Sequence, residues 1–223
     1  MKRTVLSCGM APRVVLPEIL DQLPAGHPDA QASRRDLRRI NGWMGNYRWI
    51  ASRLERAADR PLRVLELGAG DGPVLQAIRA DRRGRWKWTG LDRAPRPAHW
   101  PEEWEWIRGD VFSEPWPEAD AIVANLFLHH FDADRLRELF AKTPSSALRW
   151  VICEPARRAR HLGQLFFLRC FGMNAVTWHD GRVSIAAGFV NEELPRILDP
   201  EGRWVWESSV TFLGAYRLEG RRP

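Results

Sequence analysis

The rhythm of apolar and polar positions changes twice along the chain. Leu37, Ile40, Met44, Tyr47 and Leu54 recur at helical spacing, which predicts an amphipathic helix from Ser33 onward. Ser33-Arg34-Arg35-Asp36 is close to a capping box, with Asp where Glu or Gln is preferred. Gly42 and Gly45 can bend that helix or split it into two. Ahead of it, residues 11–31 are rich in Pro, Gly and Asp and read as an irregular arm.

From Pro61 the rhythm becomes short apolar runs separated by helical stretches. Strands are predicted at Leu62–Leu67, Trp86–Leu91, Trp104–Ile107, Ala119–Ala124 and Leu148–Cys153. Helices fall between them, one through Val74, Leu75, Ile78 and Arg79 and one over Asp132–Lys142. Such alternation predicts an α/β fold, a doubly wound and mostly parallel sheet with helices on both faces. The last third reads differently. Arg157–Phe171 is a helix apolar on one side, Thr177–Asp180 a loop, and Arg203–Glu207 with Thr211–Leu218 a closing antiparallel hairpin.

At 223 residues the chain is one good-sized domain, or one domain with an N-terminal extension. No apolar run reaches the ~18–20 residues of a transmembrane helix. The basic start Met1-Lys2-Arg3 is followed too soon by Pro12, Arg13 and Pro17 to read as a secretory signal. Cys8, Cys153 and Cys170 are odd in number and outside metal-ligand spacing, so neither a disulfide framework nor a metal site is expected. A reducing cytoplasm fits that usage. The net charge of +6 invites a nucleic-acid partner. However, only Lys2, Lys87 and Lys142 are lysines, and the arginines are scattered, as a compositional bias would leave them. Trp86/Trp88, Trp104/Trp106 and Trp204/Trp206 are spaced to share a face of a strand, which suits sheet packing better than nucleobase stacking.

The densest chemical signal is Glu66-Leu67-Gly68-Ala69-Gly70-Asp71-Gly72, a glycine turn between a buried strand and a helix. Glycines there let the backbone approach a ligand closely. Dinucleotide sites show G-x-G-x-x-G, with the diphosphate on the helix N-terminus. Here the spacing is G-x-G-x-G, and Glu66 and Asp71 flank it. Acids at that place repel a diphosphate and suit a ligand carrying an ammonium group, which favours S-adenosylmethionine over a nicotinamide cofactor.

With three further motifs in order, Gly90-Leu91-Asp92, Gly109-Asp110-Val111 and Asp120–Leu126, the chain resembles the class I S-adenosylmethionine-dependent methyltransferases over about residues 33–218. The resemblance implies a seven-stranded Rossmann-like sheet. It divides the chain into an arm (1–32), a helical cap (33–60) and a methyltransferase domain (61–223) with a substrate-covering insert about 155–190. It implies Asp92 at the ribose hydroxyls, Asp110 and Val111 at the adenine, and Asn125 and Leu126 at the fourth strand's end. Glu66, Gly68, Ala69, Gly70, Asp71 and Gly72 then form the donor turn. The helix at 38–46 would act as a lid, with Arg38, Arg39 or Asn46 at the donor's carboxylate.

On the acceptor side, Asn125-Leu126-Phe127-Leu128 replaces the Pro-Pro-aromatic motif of enzymes that methylate base amines. The following His129-His130 resembles the small-molecule branch of the family. His129, His130 and His179 (beside Asp180) are candidate general bases, although a backbone-bonded or solvent-facing histidine explains each equally. Glu154-Pro155 ends the fifth strand near the same cleft, and 162–168 form a packed helix or an apolar pocket wall. The expected reaction is methyl transfer to a small, rather apolar metabolite (phenolic, polyketide-like or lipid-derived), with oxygen preferred over carbon. The rivals are an RNA methyltransferase and a non-catalytic donor-binding protein.

Overall fold

In a computed structural model the described residues are 12–24, 26–55, 61–77 and 86–223. The N-terminal helices are α1 (Pro28–Met44) and α2 (Asn46–Glu55). Next come β1 (Leu62–Leu67), α3 (Pro73–Ala77), β2 (Trp86–Asp92), β3 (Glu105–Arg108), β4 (Ala121–Asn125), α4 (Ala133–Ala141) and β5 (Arg149–Pro155). The chain ends with α5 (Ala159–Cys170), α6 (Ala175–Ala187), α7 (Glu193–Leu198), β6 (Val205–Val210) and β7 (Ala215–Arg221). The seven strands form one sheet in the order β3-β2-β1-β4-β5-β7-β6. The first five are parallel, and the β6–β7 hairpin pairs antiparallel with β5. The strand order reverses between β1 and β4, where open α/β sheets leave a crevice beyond the carboxyl ends of their strands.

Both faces of this sheet are buried, so its strands are apolar runs without alternation. On one face Leu65, Leu67, Ile122, Trp150 and Ile152 pack with Leu136, Phe140 and Leu194 from the helices. On the other, Val64, Val123 and Val151 meet Ile50 and Leu54 of α2. The tryptophan pairs serve this packing. Trp86 and Trp88 are buried, Trp88 stacks on Trp104, and Trp204 and Trp206 pack on Phe140 of α4.

Several predicted boundaries move for identifiable reasons. The first helix begins at Pro28 rather than Ser33, with His27 Nδ1 accepting from the Asp29 N–H and a proline early in the first turn. Ser33 is instead buried and accepts a hydrogen bond from the Thr177 hydroxyl. Gly45, at φ 69°, ends α1 and splits the predicted helix in two. The predicted loop at 177–180 lies inside α6, whose N-terminus is capped by the Asn174 side chain. The Asp199 carboxyl takes the Arg203 and Trp204 N–H groups, so the sixth strand starts at Val205. The helix predicted after the glycine turn is described to Ala77; Ile78 and Arg79 lie outside the described residues, as do Met1-Lys2-Arg3 and Cys8.

Candidate active site

A cavity of about 690 Å³ opens at the carboxyl ends of β1, β2 and β4. At one end it is floored by the glycine turn after β1, where Gly68, Gly70 and Gly72 all have positive φ. Their roles differ. A Cβ on Gly68 would stand 2.1 Å from the Phe127 ring, whereas one on Gly70 would meet nothing within 4 Å. The Gly68 position is therefore needed for packing, and Gly70 keeps a cradle open to the cavity. Gly72 is against the Trp100 ring and does not reach the cavity.

Asp92, at the end of β2, fastens this turn. Its Oδ2 accepts from the Gly70 N–H at 2.8 Å and its Oδ1 from the Ala94 N–H at 2.8 Å. Asp110 lines the cavity after β3, pairs with Arg93 and accepts from the Phe112 N–H. The Phe112 hydrogen bond is foremost in holding the Asp110 carboxyl below its usual range, followed by Arg93. Ala69, Asp71, Val111, Asn125 and Leu126 line the cavity as well. Asn125 Oδ1 is buried with no hydrogen-bond partner among the described residues, a polar atom left for a ligand.

Besides Gly72, three predicted donor residues take other places. Glu66 is buried outside the cavity lining and accepts from the Trp88 indole N–H at 2.9 Å. Burial pushes its carboxyl up to about 8, so it is protonated at neutral pH and cannot serve an ammonium as an anion. Arg39 points to solvent beside Asp36, and it is Arg38, one residue earlier, that lines the cavity and pairs with Asp71 at 3.2 Å. Asn46 is buried behind Asn41, donating to its Oδ1 at 2.9 Å; Asn41 is the one facing the cavity. Arg38 is thus the one of the three candidates that the cavity takes, and Gly45, where α1 ends, resets the helical phase only for Asn46, which follows it.

At the other end, the turn after β4 carries His129 and His130. Glu154 gathers this turn, accepting the N–H groups of Phe127 at 3.0 Å and Leu128 at 2.8 Å. Its second oxygen lies 2.7 Å from His129 Nδ1. His129 Nε2 faces Glu18 Oε1 at 3.3 Å, and Ser184 of α6 donates to the same Glu18 oxygen. Burial alone would depress the His129 imidazole, yet its hydrogen bonds to Glu154 and Glu18 together raise it to about 9. The ring is thus an imidazolium held between two acids. His130 lies tilted against it at 4.2 Å between centroids, and its Nδ1 is 3.5 Å from Asp21 Oδ2. Burial, and then the charge on His129, lower the pKa of His130, which is neutral at physiological pH. Glu18, His129 and His130 also bring one ligand-type atom each within 4.8 Å of one another.

His179 is not part of this arrangement. It lies on the exposed side of α6, bonded to Asp180, and does not line the cavity. Asp180 instead accepts the N–H groups of Ile19 and Leu20, tying the arm down over the site. Neither Glu18 nor Asp21 belongs to a sequence motif, and only their docking brings them to the histidines.

A family model described as a methyltransferase domain matches residues 38–166. The chain belongs to that family, and its fold is the class I methyltransferase fold. S-adenosylmethionine is the donor that goes with this fold, and the open face of Gly70, the unpartnered Asn125 oxygen, the acids at the ends of β2 and β3, and Arg38 fit it. No curated protein matches the chain by sequence similarity. Among solved structures, the plantazolicin methyltransferase BpumL in complex with SAH is similar at 13% identity and a TM-score of 0.64, over 92% of this chain and 94% of that one. The pyocyanin biosynthetic protein PhzM is similar at 16% identity and a TM-score of 0.59, over 92% of this chain. An O-methyltransferase family 2 protein from Planctomyces limnophilus, in complex with apigenin, is similar at 17% identity and 0.54, over 86%. The chain spans only 60% and 62% of the length of the last two.

Proposed function

We propose that this protein transfers the methyl group of S-adenosylmethionine to a hydroxyl of a small, largely apolar metabolite, with His130 accepting the proton. The observation that carries this reading is the pairing of a neutral cavity imidazole with a charged one inside an apolar enclosure. When bound, the donor supplies an electrophilic methyl carbon on a sulfonium. The chain's part is to hold, orient and deprotonate. Asp92 and Asp110 would hold the nucleoside, and Arg38 and Asn41 the amino-acid end. Leu20, Leu37, Leu165, Leu168 and Ile185 would hold an apolar acceptor and exclude water.

His130 has the state a general base requires. It lines the cavity, is neutral, and has an Nε2 with no hydrogen bond among the described residues. As the acceptor oxygen takes the methyl group, its proton passes to that nitrogen. His129 cannot take this role in its charged form; it is a positioning residue that fixes the turn and keeps its neighbour neutral. The enclosed, apolar wall also supports a small molecule over RNA, and most tryptophans are taken up by packing rather than offered for stacking.

Binding of the donor is measured by calorimetry, and turnover with labelled donor on a panel of phenols, hydroxylated polyketides and fatty acids. His130→Ala should lower kcat by about 10²–10⁴-fold with donor affinity retained. His179→Ala should leave turnover unchanged, and so should a chelator. Full turnover by the His130 variant would sink the proposed base. Loss of activity on chelation, restored by a divalent cation, would assign the histidine cluster to a metal instead.

A further inference from the structure

Helix α5 is apolar on two sides. Its inner side sends Leu165 and Leu168 to the cavity wall. Its outer side, where a surface helix is ordinarily polar, carries Leu162, Phe166, Phe167 and, just past its end, Phe171. These three phenylalanines are 60%, 61% and 73% exposed. The turn between β6 and β7 extends the same patch. Gln164 of α5 donates to the Phe212 carbonyl at 3.0 Å, and Phe212 is 74% exposed. The rings are ordered against one another, with Phe167 and Phe171 centroids 4.6 Å apart and Phe166 edge-on to Trp178 at 6.1 Å.

The charge carried by α5 and the turn after it has one sign, and the acids at its edge, Asp29 and Asp36 of α1, are engaged by Asn174. From Ala156 to His179 there is no Asp or Glu, while Arg157, Arg158, Arg160 and Arg169 fall in that stretch. Arg157 is engaged by Glu193, but the Arg160 guanidinium sits 5.9 Å from the Phe212 ring and Arg182 lies 5.8 Å from that of Trp178. Exposed aromatic rings on a helix that carries arginines and no acid match the boundary between lipid headgroups and acyl chains.

We propose that the outer face of α5, with Phe212, docks on an anionic lipid bilayer. The phenylalanines and Leu162 enter the headgroup–acyl boundary, and Arg160, Arg169 and Arg182 face lipid phosphates. Charge argues against a second copy of the chain as the occupant, because two such faces would bring Arg160, Arg169 and Arg182 of both copies together, while the acids at the edge, Asp29 and Asp36, are engaged by Asn174. No helix among the described residues is long and apolar enough to cross a membrane, so the contact is peripheral. The proposal stands independently of the reaction assigned above.

The full chain is floated with phosphatidylcholine vesicles, with and without phosphatidylglycerol, and its mass in solution is measured by light scattering. Flotation with the anionic vesicles should exceed that with neutral ones by about tenfold or more and fall as salt rises. Phe166→Ser with Phe167→Ser should abolish it with the melting temperature retained. Arg160→Gln with Arg169→Gln, which keeps the apolar face, should weaken it by roughly five- to thirtyfold at about 1 kcal/mol per arginine. Three results would each overturn the proposal: no flotation, equal flotation with both vesicle types, or a dimer that the phenylalanine double variant dissociates.

Discussion

The two ends of the cavity are held by contacts of very different reach. At the donor end, Asp92 fastens Gly70 across 22 residues, and Asp110 caps its own turn through an N–H two residues on. At the acceptor end, His129 meets Glu18 across 111 residues, and Asp180 holds Ile19 across 161. The first is a strand-turn-helix unit whose geometry follows from its own glycines and acids. The second exists only when the arm, the β4 turn, β5 and α6 have all docked. Substrate-side chemistry can therefore change with the arm or α6 while the donor floor stays as it is.

The comparison is broken most sharply at Asp92. Asp92→Ala removes the acceptor for two backbone N–H groups and the carboxyl placed for the ribose. Hydrogen bonds to charged groups contribute about 1.5–3 kcal/mol each, so donor affinity should fall by roughly ten- to a hundredfold or more by calorimetry. Acceptor-side changes should leave the same titration nearly untouched. An Asp92 variant with unchanged donor affinity would remove that residue from the site.

This division explains what the sequence could show. The glycine turn, Asp92 and Asp110 are legible because a strand, a turn and an acid at fixed intervals imply a ligand geometry locally. The parallel strands are legible because burial on both faces leaves unbroken apolar runs. Asn46 was misplaced because Gly45, at φ 69°, resets the helical phase just before it, and Arg39 because it lies about 100° around the helix from Arg38. Glu66 was misread because burial cancels its acid character despite the Trp88 hydrogen bond, and no spacing encodes burial. Glu18 gave no signal because its partner is a histidine that reaches it only through tertiary packing.

A smaller effect sharpens the acceptor side. Glu18→Gln removes one of the two acids holding the His129 imidazolium. A histidine raised from 6.5 to about 9 stabilises the fold fully below its unfolded pKa, and that contribution is lost as pH rises through about 9. The variant should therefore lose about 1–3 kcal/mol relative to the parent near pH 6, and the difference should shrink toward pH 9. Glu18 also raises the His130 pKa directly, so while Glu154 keeps His129 charged, the loss of Glu18 should lower the pKa of His130 and move the acid limb of kcat/KM to lower pH. A stability gap independent of pH would separate Glu18 from His129.

The smallest effect on function, and the most discriminating, belongs to Glu66, which lies in the donor motif but outside the donor cavity. Its folded pKa of about 8 exceeds the ordinary 4.5, so the folded protein holds a proton that the unfolded chain releases over that interval. Stability contributed at this site therefore falls as pH rises from about 4.5 to 8. Glu66→Gln keeps an oxygen acceptor for the Trp88 N–H and has no proton to lose. Denaturation across pH should show the variant equal to the parent near pH 4 and more stable by about 1–3 kcal/mol at pH 8. Donor affinity should stay within about twofold, since a residue that touches no ligand contributes little to its binding. A tenfold loss of affinity at constant stability would return Glu66 to the donor site and blur the line between a motif's ligand-facing and fold-facing residues.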